Sequence, residues 1–260
     1  MSRGNRWFDA LRAGITPDPT MPPSVRVADR TFGTTELRLI AVVPDPMNRF
    51  VRARSGELGI DEGIAIARAV EEAPAAIVAI IDVPGQAFGL REEMLGIHRA
   101  LAVAVDAYVR KRRAGHGVAA LVVGRAISGA FLAHGLQANW IAALRDPGIE
   151  VHVMSESSVA RVTRSSREEI TRIAGLIPAT ARDIERFATL GAIDRLFDVA
   201  DPNEPTLPEI AEILEALVGA LVVPAIATRT PRNRLDSDAA RTTRRLSIDV
   251  RARLRAAWNA

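Results

Sequence analysis

Two short glycine-containing segments hold the residues whose types and spacing could do chemistry. The first is Asp82-Val83-Pro84-Gly85, directly after the apolar run Ala76–Ile81, and the second is Gly124–Ala130, directly after Val118–Val123. Apolar runs of this length without polar alternation predict strands covered on both faces, as in a parallel sheet. Ligands of such sheets bind at the carboxyl ends of the strands, where both segments fall.

The backbone amides of Gly129 and Ala130 are the first candidates for catalysis. They open the helix predicted after the second strand. The first N–H groups of a helix lack an internal partner and carry the positive end of its dipole. Glycine and alanine let a substrate oxygen approach these groups closely. The pattern therefore predicts an oxyanion hole, and the alternative is a tight strand-to-helix turn whose small residues serve packing alone.

A serine and a histidine offer a second chemistry. Ser128 lies in the second glycine segment, and His152 follows 24 residues later, a spacing similar to that of Clp-type serine peptidases. Any of Asp183, Asp194 and Asp198 could complete a catalytic triad. A serine hydrolase is therefore an alternative function.

The histidines do not predict a metal site. His98, His116, His134 and His152 fall on separate predicted elements, without a His-x-x-x-His pair or a carboxylate-rich neighbour. His98 is either a core histidine or a group that points into a cleft beneath the loop at residues 82–89. His98 and His134 are candidate proton donors to a reacting substrate.

Alternating strands and helices must position these residues, which indicates α/β architecture with right-handed crossovers. Besides the two apolar runs, the patterns predict strands at Leu37–Val43, Trp140–Leu144, Glu150–Met154 and Ile193–Asp198. They predict helices at Asp61–Ala73, Gly89–Arg113, Glu156–Arg161, Arg167–Leu176, Ala181–Leu190 and Pro208–Leu221. Ser166 is the predicted N-cap of one helix, with Glu169 as its capping-box partner.

The chain divides into three predicted regions. Residues 1–35 form a proline-rich N-terminal extension outside the core, residues 36–223 the α/β domain, and residues 224–260 an arginine-rich tail. The tail holds nine arginines and three aspartates, a net +6, so the rest of the chain carries −3 of the total +3. The sequence pI of 10.3 thus belongs to the tail, and with 4% aromatic residues it gives little support to nucleic-acid binding. No apolar run is long enough for a membrane span, the chain has no cysteine, and we expect a cytoplasmic protein.

Several motifs together resemble the carboxyltransferase branch of the crotonase superfamily, and within it the gamma-subunit family of biotin-independent malonate decarboxylases. The motifs are Asp82-Val83-Pro84-Gly85, Gly96-Ile97-His98 and Gly124-Arg125-Ala126-Ile127-Ser128-Gly129-Ala130-Phe131. The resemblance runs from Arg6-Trp7-Phe8, through Arg52-Ala53-Arg54 and Gly56-Glu57-Leu58-Gly59, to about Phe197-Asp198. The tail lies outside what can be matched in this way.

The resemblance implies a crotonase-like spiral of repeated ββα units and an obligate beta subunit, with the active site between the two chains. It implies that an alpha subunit, a transferase, loads malonate onto an acyl carrier protein, the delta subunit. The carrier bears a phosphopantetheine-type prosthetic group derived from dephospho-CoA, and this chain itself binds no cofactor. The beta–gamma pair then decarboxylates the malonyl thioester to the acetyl thioester and CO2.

Carried onto this sequence, the resemblance places the enolate-stabilising amides at Gly129 and Ala130. Ser128 and His98 join them as candidate catalytic residues, and the candidate substrate-binding residues are Gly85, Gln86, Gly124 and Arg125. A further alternative is a non-catalytic subunit of an acyl-CoA carboxyltransferase that only completes its partner's site.

Overall fold

The computed structural model describes residues 1–222, 234 and 236–259. Its strands are β1 (Val25–Phe32), β2 (Thr35–Val42), β3 (Ala76–Val83), β4 (Val118–Ile127), β5 (Trp140–Leu144), β6 (Val151–His152) and β7 (Arg195–Phe197). The first nine helices are α1 (Arg3–Arg12), α2 (Ile60–Glu71), α3 (Leu90–Leu95), α4 (Ile97–Arg113), α5 (Ser128–Ala133), α6 (Glu156–Thr163), α7 (Arg167–Leu176), α8 (Ile184–Thr189) and α9 (Leu207–Leu221). Two more, α10 (Asp238–Thr243) and α11 (Arg245–Trp258), follow near the C-terminus.

The strands form one mixed sheet in the order β1-β2-β3-β4-β5-β7, with β6 paired to the far end of β4. Only the β1–β2 hairpin is antiparallel, and every other pairing is parallel. The central strands β3 and β4 are buried along almost their whole length. This agrees with their unbroken apolar sequence and confirms the predicted α/β class.

The prediction that residues 1–35 lie outside the core is wrong. Trp7, Phe8 and Leu11 of α1 are fully buried in the main hydrophobic core, and β1 extends the sheet. The indole N–H of Trp7 also donates to the carbonyl of Pro202, 2.8 Å away. Helix α1 ends before the first proline, at Ala13, whose φ is +49° and whose N–H donates to the Ala10 carbonyl, and the chain then returns as β1 to pair with β2.

The long helix predicted at Gly89–Arg113 is broken at Gly96. This residue has a φ of +85°, and its N–H caps α3, so α4 begins afresh at Ile97. A left-handed glycine is the usual end of a helix because it lacks the Cβ that would clash there. As a result, Met94 and His98 do not share one continuous helical face.

Ser166 caps α7 as predicted, because its hydroxyl accepts the N–H of Glu169 at 3.2 Å. The predicted capping box is wrong, because the carboxylate of Glu169 pairs with Arg172. Among the described residues, no helix combines the length and the apolarity needed to cross a bilayer. Part of the arginine-rich tail, residues 223–233, 235 and 260, lies outside the described residues.

Candidate functional site

The candidate site lies where β3 and β4 end, and the first of its two walls is the loop at Gly85 and Gln86. Gly85 is buried and has a φ of +133°, a region that side chains strongly disfavour. The loop is held by Leu58, which donates its N–H to the Gly85 carbonyl and accepts the N–H of Ala87, each at 2.9 Å. Both predicted residues of this wall are therefore fixed by backbone pairing.

The second wall is the turn from β4 into α5, and it faces the first directly. A Cβ built on Gly85 would lie 3.9 Å from the Cβ of Ser128. The N–H of Gly129 points across the gap and donates to Oε1 of Gln86 at 2.9 Å. Ser128 has a φ of +60°, which is uncommon for a residue other than glycine. The structure thus brings Gly85, Gln86, Ser128 and Gly129 together as the sequence predicted.

Ala130 completes the turn and is fully buried. As the third residue of α5, it belongs to the first turn, whose N–H groups have no acceptor within the helix. Its role as the second oxyanion donor stays a prediction.

A buried aspartate joins the two strand ends and was missed by the sequence reasoning. Oδ2 of Asp82 accepts the N–H of Gly4 at 3.0 Å, and Oδ1 accepts the N–H of Arg125 at 3.1 Å. A Cβ on Gly124 would lie 2.3 Å from Oδ1 of Asp82, so only glycine fits there. Gly124 thus has a structural reason for its identity, whereas the backbone contact of Arg125 does not depend on its side chain. Substrate binding by either residue stays a prediction. The apolar run that ends at Asp82 is the only sequence signal for this contact.

An apolar cavity of about 540 Å³ opens beside the second wall. Ser128, His152 and Arg182 are among its polar lining residues. The wall also includes large apolar side chains on or next to α5, α6, α7 and α8, namely Phe131, Leu132, Leu136, Val159, Ile170, Ile173, Phe187 and Leu190. We call this space the apolar cavity; it has the size and lining of a small-molecule site.

His152 is held by Arg182 rather than by Ser128. Nη2 of Arg182 lies 2.7 Å from Nε2 of His152, and Oε2 of Glu150 lies 3.5 Å from the same nitrogen. Burial, together with the charge of Arg182, lowers the pKa of His152, and Glu150 partly opposes this shift. Because a guanidinium can only donate, the lone pair of Nε2 is already accepting a hydrogen bond.

The three aspartates proposed for a triad also have other partners. Asp183 caps α8 by accepting the N–H of Arg186, Asp194 accepts the N–H of Ile141, and Asp198 forms an ion pair with Arg145. Among the described residues, no hydrogen bond joins Ser128 to His152. The geometry therefore argues against the serine-hydrolase alternative.

We expect a fluorophosphonate probe to leave Ser128 unmodified, because His152 cannot take its proton while Arg182 occupies Nε2. Intact-mass spectrometry after incubation with the probe measures this directly. The Ser128→Ala variant serves as the matched control. Stoichiometric labelling of the wild type that is absent from this variant would restore the hydrolase alternative.

The two candidate proton donors lie in very different surroundings. His98 is exposed on the first turn of α4 and is not among the residues lining the apolar cavity, so its prediction as a core histidine is wrong. His134 is fully buried, and its Nδ1 lies 2.9 Å from the hydroxyl of Tyr108. Burial lowers the pKa of His134 to about 4, partly opposed by the backbone carbonyl of Ile40. His134 is thus a neutral core residue, and proton donation by His98 stays a prediction.

This buried histidine predicts a pH-dependent stability. The folded-state pKa of His134 is depressed, to about 4 from 6.5. Between pH 6.5 and about pH 4 the unfolded chain therefore binds more protons than the folded chain, and the stability of the fold falls as the pH falls through this range. We expect the free energy of unfolding to drop by roughly 2 kcal/mol between about pH 7 and pH 5 on account of His134 alone.

Urea titrations at these two pH values measure the drop. His134→Gln is expected to be less stable than the wild type at neutral pH. Its free energy of unfolding is expected to differ much less between the two pH values. An equal pH dependence in both proteins would contradict the assignment.

Among the described residues, no group of three or more His, Asp or Glu side chains is placed to hold a metal ion. The site consists of backbone amides, one carboxamide, one hydroxyl and an apolar cavity at the carboxyl edge of a mostly parallel sheet. This arrangement suits the stabilisation of a developing oxyanion.

The fold is that of the crotonase-fold carboxyltransferases. A solved structure of transcarboxylase 12S is similar with a TM-score of 0.60, at 23% identity over 82% of this chain and 42% of that one. The sequence model of the malonate decarboxylase gamma subunit matches residues 53–258, and the chain belongs to this family. This confirms the predicted fold, the gamma-subunit assignment and the role as a component of an enzyme complex.

Individual relatives agree with the family. The chain is 33% identical to the malonyl-S-ACP:biotin-protein carboxyltransferase of Malonomonas rubra over 214 residues, 76% of this chain and 73% of that protein. It is 44% identical to a chain of the Pseudomonas malonate decarboxylase MdcD–MdcE hetero-dimer, with a TM-score of 0.84 over 99% of this chain and all of that one. A Pseudomonas malonate decarboxylase hetero-tetramer in complex with coenzyme A gives 44% identity and a TM-score of 0.88 over 97% of this chain.

The family match includes most of the arginine-rich tail. It continues to residue 258, whereas the sequence resemblance was expected to end near Phe197-Asp198. Most of residues 224–260 therefore belongs to the family's sequence, and the expectation that the tail lies outside it is wrong.

Proposed function

We propose that this gamma chain pairs with a beta subunit, and that the pair converts a malonyl thioester on an acyl carrier protein to the acetyl thioester and CO2. The hetero-dimer named for its Pseudomonas relative supports the pairing. The name of the Malonomonas rubra relative, which specifies malonyl-S-ACP, supports a carrier-bound substrate. An alpha subunit that loads malonate onto the carrier completes the proposed assembly, which we place in the cytoplasm.

The proposed mechanism is based on the hydrogen bond from the N–H of Gly129 to Oε1 of Gln86. Loss of CO2 breaks a carbon–carbon bond and leaves its electron pair in an enolate, whose oxygen needs preorganised donors. Oε1 of Gln86 lies 2.9 Å from the N of Gly129, within the 2.7–3.1 Å range suited to oxyanion donors. An oxygen atom therefore fits between the two walls in front of this amide. In the proposed complex, the thioester oxygen takes that place, with Ala130 as the second donor.

The remaining steps use groups of both subunits. The α-carbon of the enolate takes up one proton to give the acetyl thioester, and Ser128 and His98 are this chain's candidates for supplying it. The substrate arrives on the carrier's phosphopantetheine-type arm, and this chain holds no cofactor of its own. The apolar cavity beside Ser128 offers uncharged walls to the thioester end of that arm, and it limits the water around the departing carboxylate.

Purified subunits test the proposal. The beta–gamma complex is expected to release one CO2 for each malonyl-carrier and to leave acetyl-carrier, as measured by mass spectrometry of the carrier. Each subunit alone is expected to be inactive, because the site lies between the two chains. Full activity of the beta subunit alone would contradict the contribution of Gly129 and Ala130.

A further inference from the structure

The C-terminal helix α11 carries an apolar stripe that no described part of the chain covers. None of its 14 residues is buried. Leu246, Val250, Leu254 and Trp258 expose 75%, 55%, 64% and 90% of their surfaces. Because they recur every fourth residue, these four side chains lie on one face of the helix. Contiguous exposed apolar surface of this kind marks an interaction site.

Arginines border this stripe on both sides. At 3.6 residues per turn, Arg253 lies along one edge of the stripe, Arg251 and Arg255 lie along the other, and Arg245 lies on the opposite face of the helix. Within the described part of the chain, none of these four arginines forms an ion pair. Asp249 lies one turn before Arg253 on the same side of the stripe, so three arginines and one aspartate frame the apolar side chains with a net positive charge.

The helix also begins next to the candidate site. Arg244, Ser247 and Arg251 line a second cleft together with Leu136, Phe187 and Leu190. These last three residues also line the apolar cavity. The side chains of Leu136, Phe187 and Leu190 thus lie between the start of α11 and the apolar cavity beside Ser128. A partner bound to α11 is therefore close to the cavity that the thioester must enter.

We propose that α11 is the docking surface for the acyl carrier protein, recognised as an acidic domain with an apolar patch; this rests on the proposed function. An acidic partner complements the arginines, and its apolar patch covers the stripe. A second copy of α11 brings the same positive charge and is repelled. The proximity to the apolar cavity distinguishes a partner that delivers a substrate from one that only assembles the complex.

A binding titration tests the proposal without turnover. Fluorescently labelled apo-carrier is added to the purified beta–gamma complex, and anisotropy gives the Kd. The triple variant Arg251→Glu/Arg253→Glu/Arg255→Glu is expected to raise the Kd by ~10-fold or more, because reversed rim charges repel an acidic partner. Binding to the wild-type complex is expected to weaken as the salt concentration rises.

A single-residue pair provides the matched control. Arg253→Glu at the edge of the stripe is expected to weaken carrier binding more than Arg245→Glu on the opposite face, although both reverse one charge on the same helix. Equal effects of the two variants, or an unchanged Kd in the triple variant, would overturn the proposal. So would loss of the beta subunit from the triple variant or preferential binding of α11 to anionic lipid vesicles, because each assigns the helix to another partner.

Kinetics separates this proposal from the proposed function. The triple variant is expected to raise the KM for malonyl-carrier and to leave turnover of a small malonyl thioester unchanged. A wild-type complex that binds the carrier through α11 but releases no CO2 would refute the decarboxylase function and leave the docking surface in place. Decarboxylation by the wild-type complex, together with an unchanged carrier affinity in the triple variant, would refute the docking surface and leave the decarboxylase function in place.

Discussion

Replacing Gly129 by valine is expected to lower the turnover of the beta–gamma complex by about 10²–10³-fold, as much as the loss of an oxyanion donor usually costs, because the new side chain blocks access to the retained N–H. A Cβ at this position would lie 3.1 Å from Oε1 and 3.4 Å from Cδ of Gln86. The two methyl groups of valine then fill the gap between the walls, where the thioester oxygen is proposed to bind. Steady-state kinetics with malonyl-carrier measures the loss, which we expect in kcat rather than in complex formation.

Gly219→Val is the control for this substitution. Gly219 lies within α9, and a Cβ there would meet no atom within 4 Å. The control is therefore expected to retain activity without a loss of helix stability, because valine has a higher helix propensity than glycine. Wild-type turnover in an intact Gly129→Val complex would show that this chain only completes its partner's site and contributes no donor.

The second large effect is expected from Glu62→Ala, which we predict lowers the free energy of unfolding by about 3–5 kcal/mol. The Glu62 side chain is fully buried and accepts three hydrogen bonds: from the hydroxyl of Ser24 at 2.6 Å, from the side-chain amide of Asn48 at 2.7 Å, and from the N–H of Gly59 at 3.0 Å. Alanine leaves these three donors without an acceptor in the protein interior. Chemical denaturation followed by circular dichroism measures the change.

Glu72→Ala is the matched control because Glu72 is exposed at the end of α2 and pairs only with Arg68 across one helical turn. Such surface pairs contribute little, so a change below about 1 kcal/mol is expected. Comparable losses in the two variants would contradict the assigned role of Glu62. Because Glu62 also fixes the residue after Leu58, its loss is further expected to loosen the Gly85 wall.

The central part of the fold follows from the sequence because its signals are local and strong. Short unbroken apolar runs such as Ala76–Ile81, bounded by turn residues, favour strands that are covered on both faces, and the structure places them in the middle of the sheet. The break at Gly96 was not predicted, because a single glycine is tolerated within a helical pattern. Only the positive φ of that residue, which depends on how α3 packs, turns it into a helix end.

The N-terminal segment shows where local reasoning fails. The prolines between Pro17 and Pro23 led to the prediction of an extension outside the core, whereas the chain returns after them as β1 and pairs with β2. Helix α1 packs on parts of the chain that are distant in sequence, and the N–H of Gly4 donates to Asp82, 78 residues away. Sequence periodicity carries no information about a partner at that distance.

The sequence predicted which residues lie at the site, but it did not predict the hydrogen bonds between them. The small residues after β4 and the loop after β3 meet as expected, because the carboxyl ends of neighbouring parallel strands share one edge of the sheet. The pairing of Gln86 with Gly129, and of His152 with Arg182, requires side-chain directions that only the folded chain defines.

The carboxamide of Gln86 has a consequence for selectivity. Since Oε1 of Gln86 already accepts the hydrogen bond of the Gly129 N–H, an acyl oxygen that binds there, as proposed, must displace it. The net affinity of that oxygen is then the difference between two competing acceptors. A neutral carbonyl gains little from this exchange, whereas an oxygen that is acquiring full negative charge gains much more. The Gln86 side chain would therefore make the site selective for the developing enolate over the ground-state thioester.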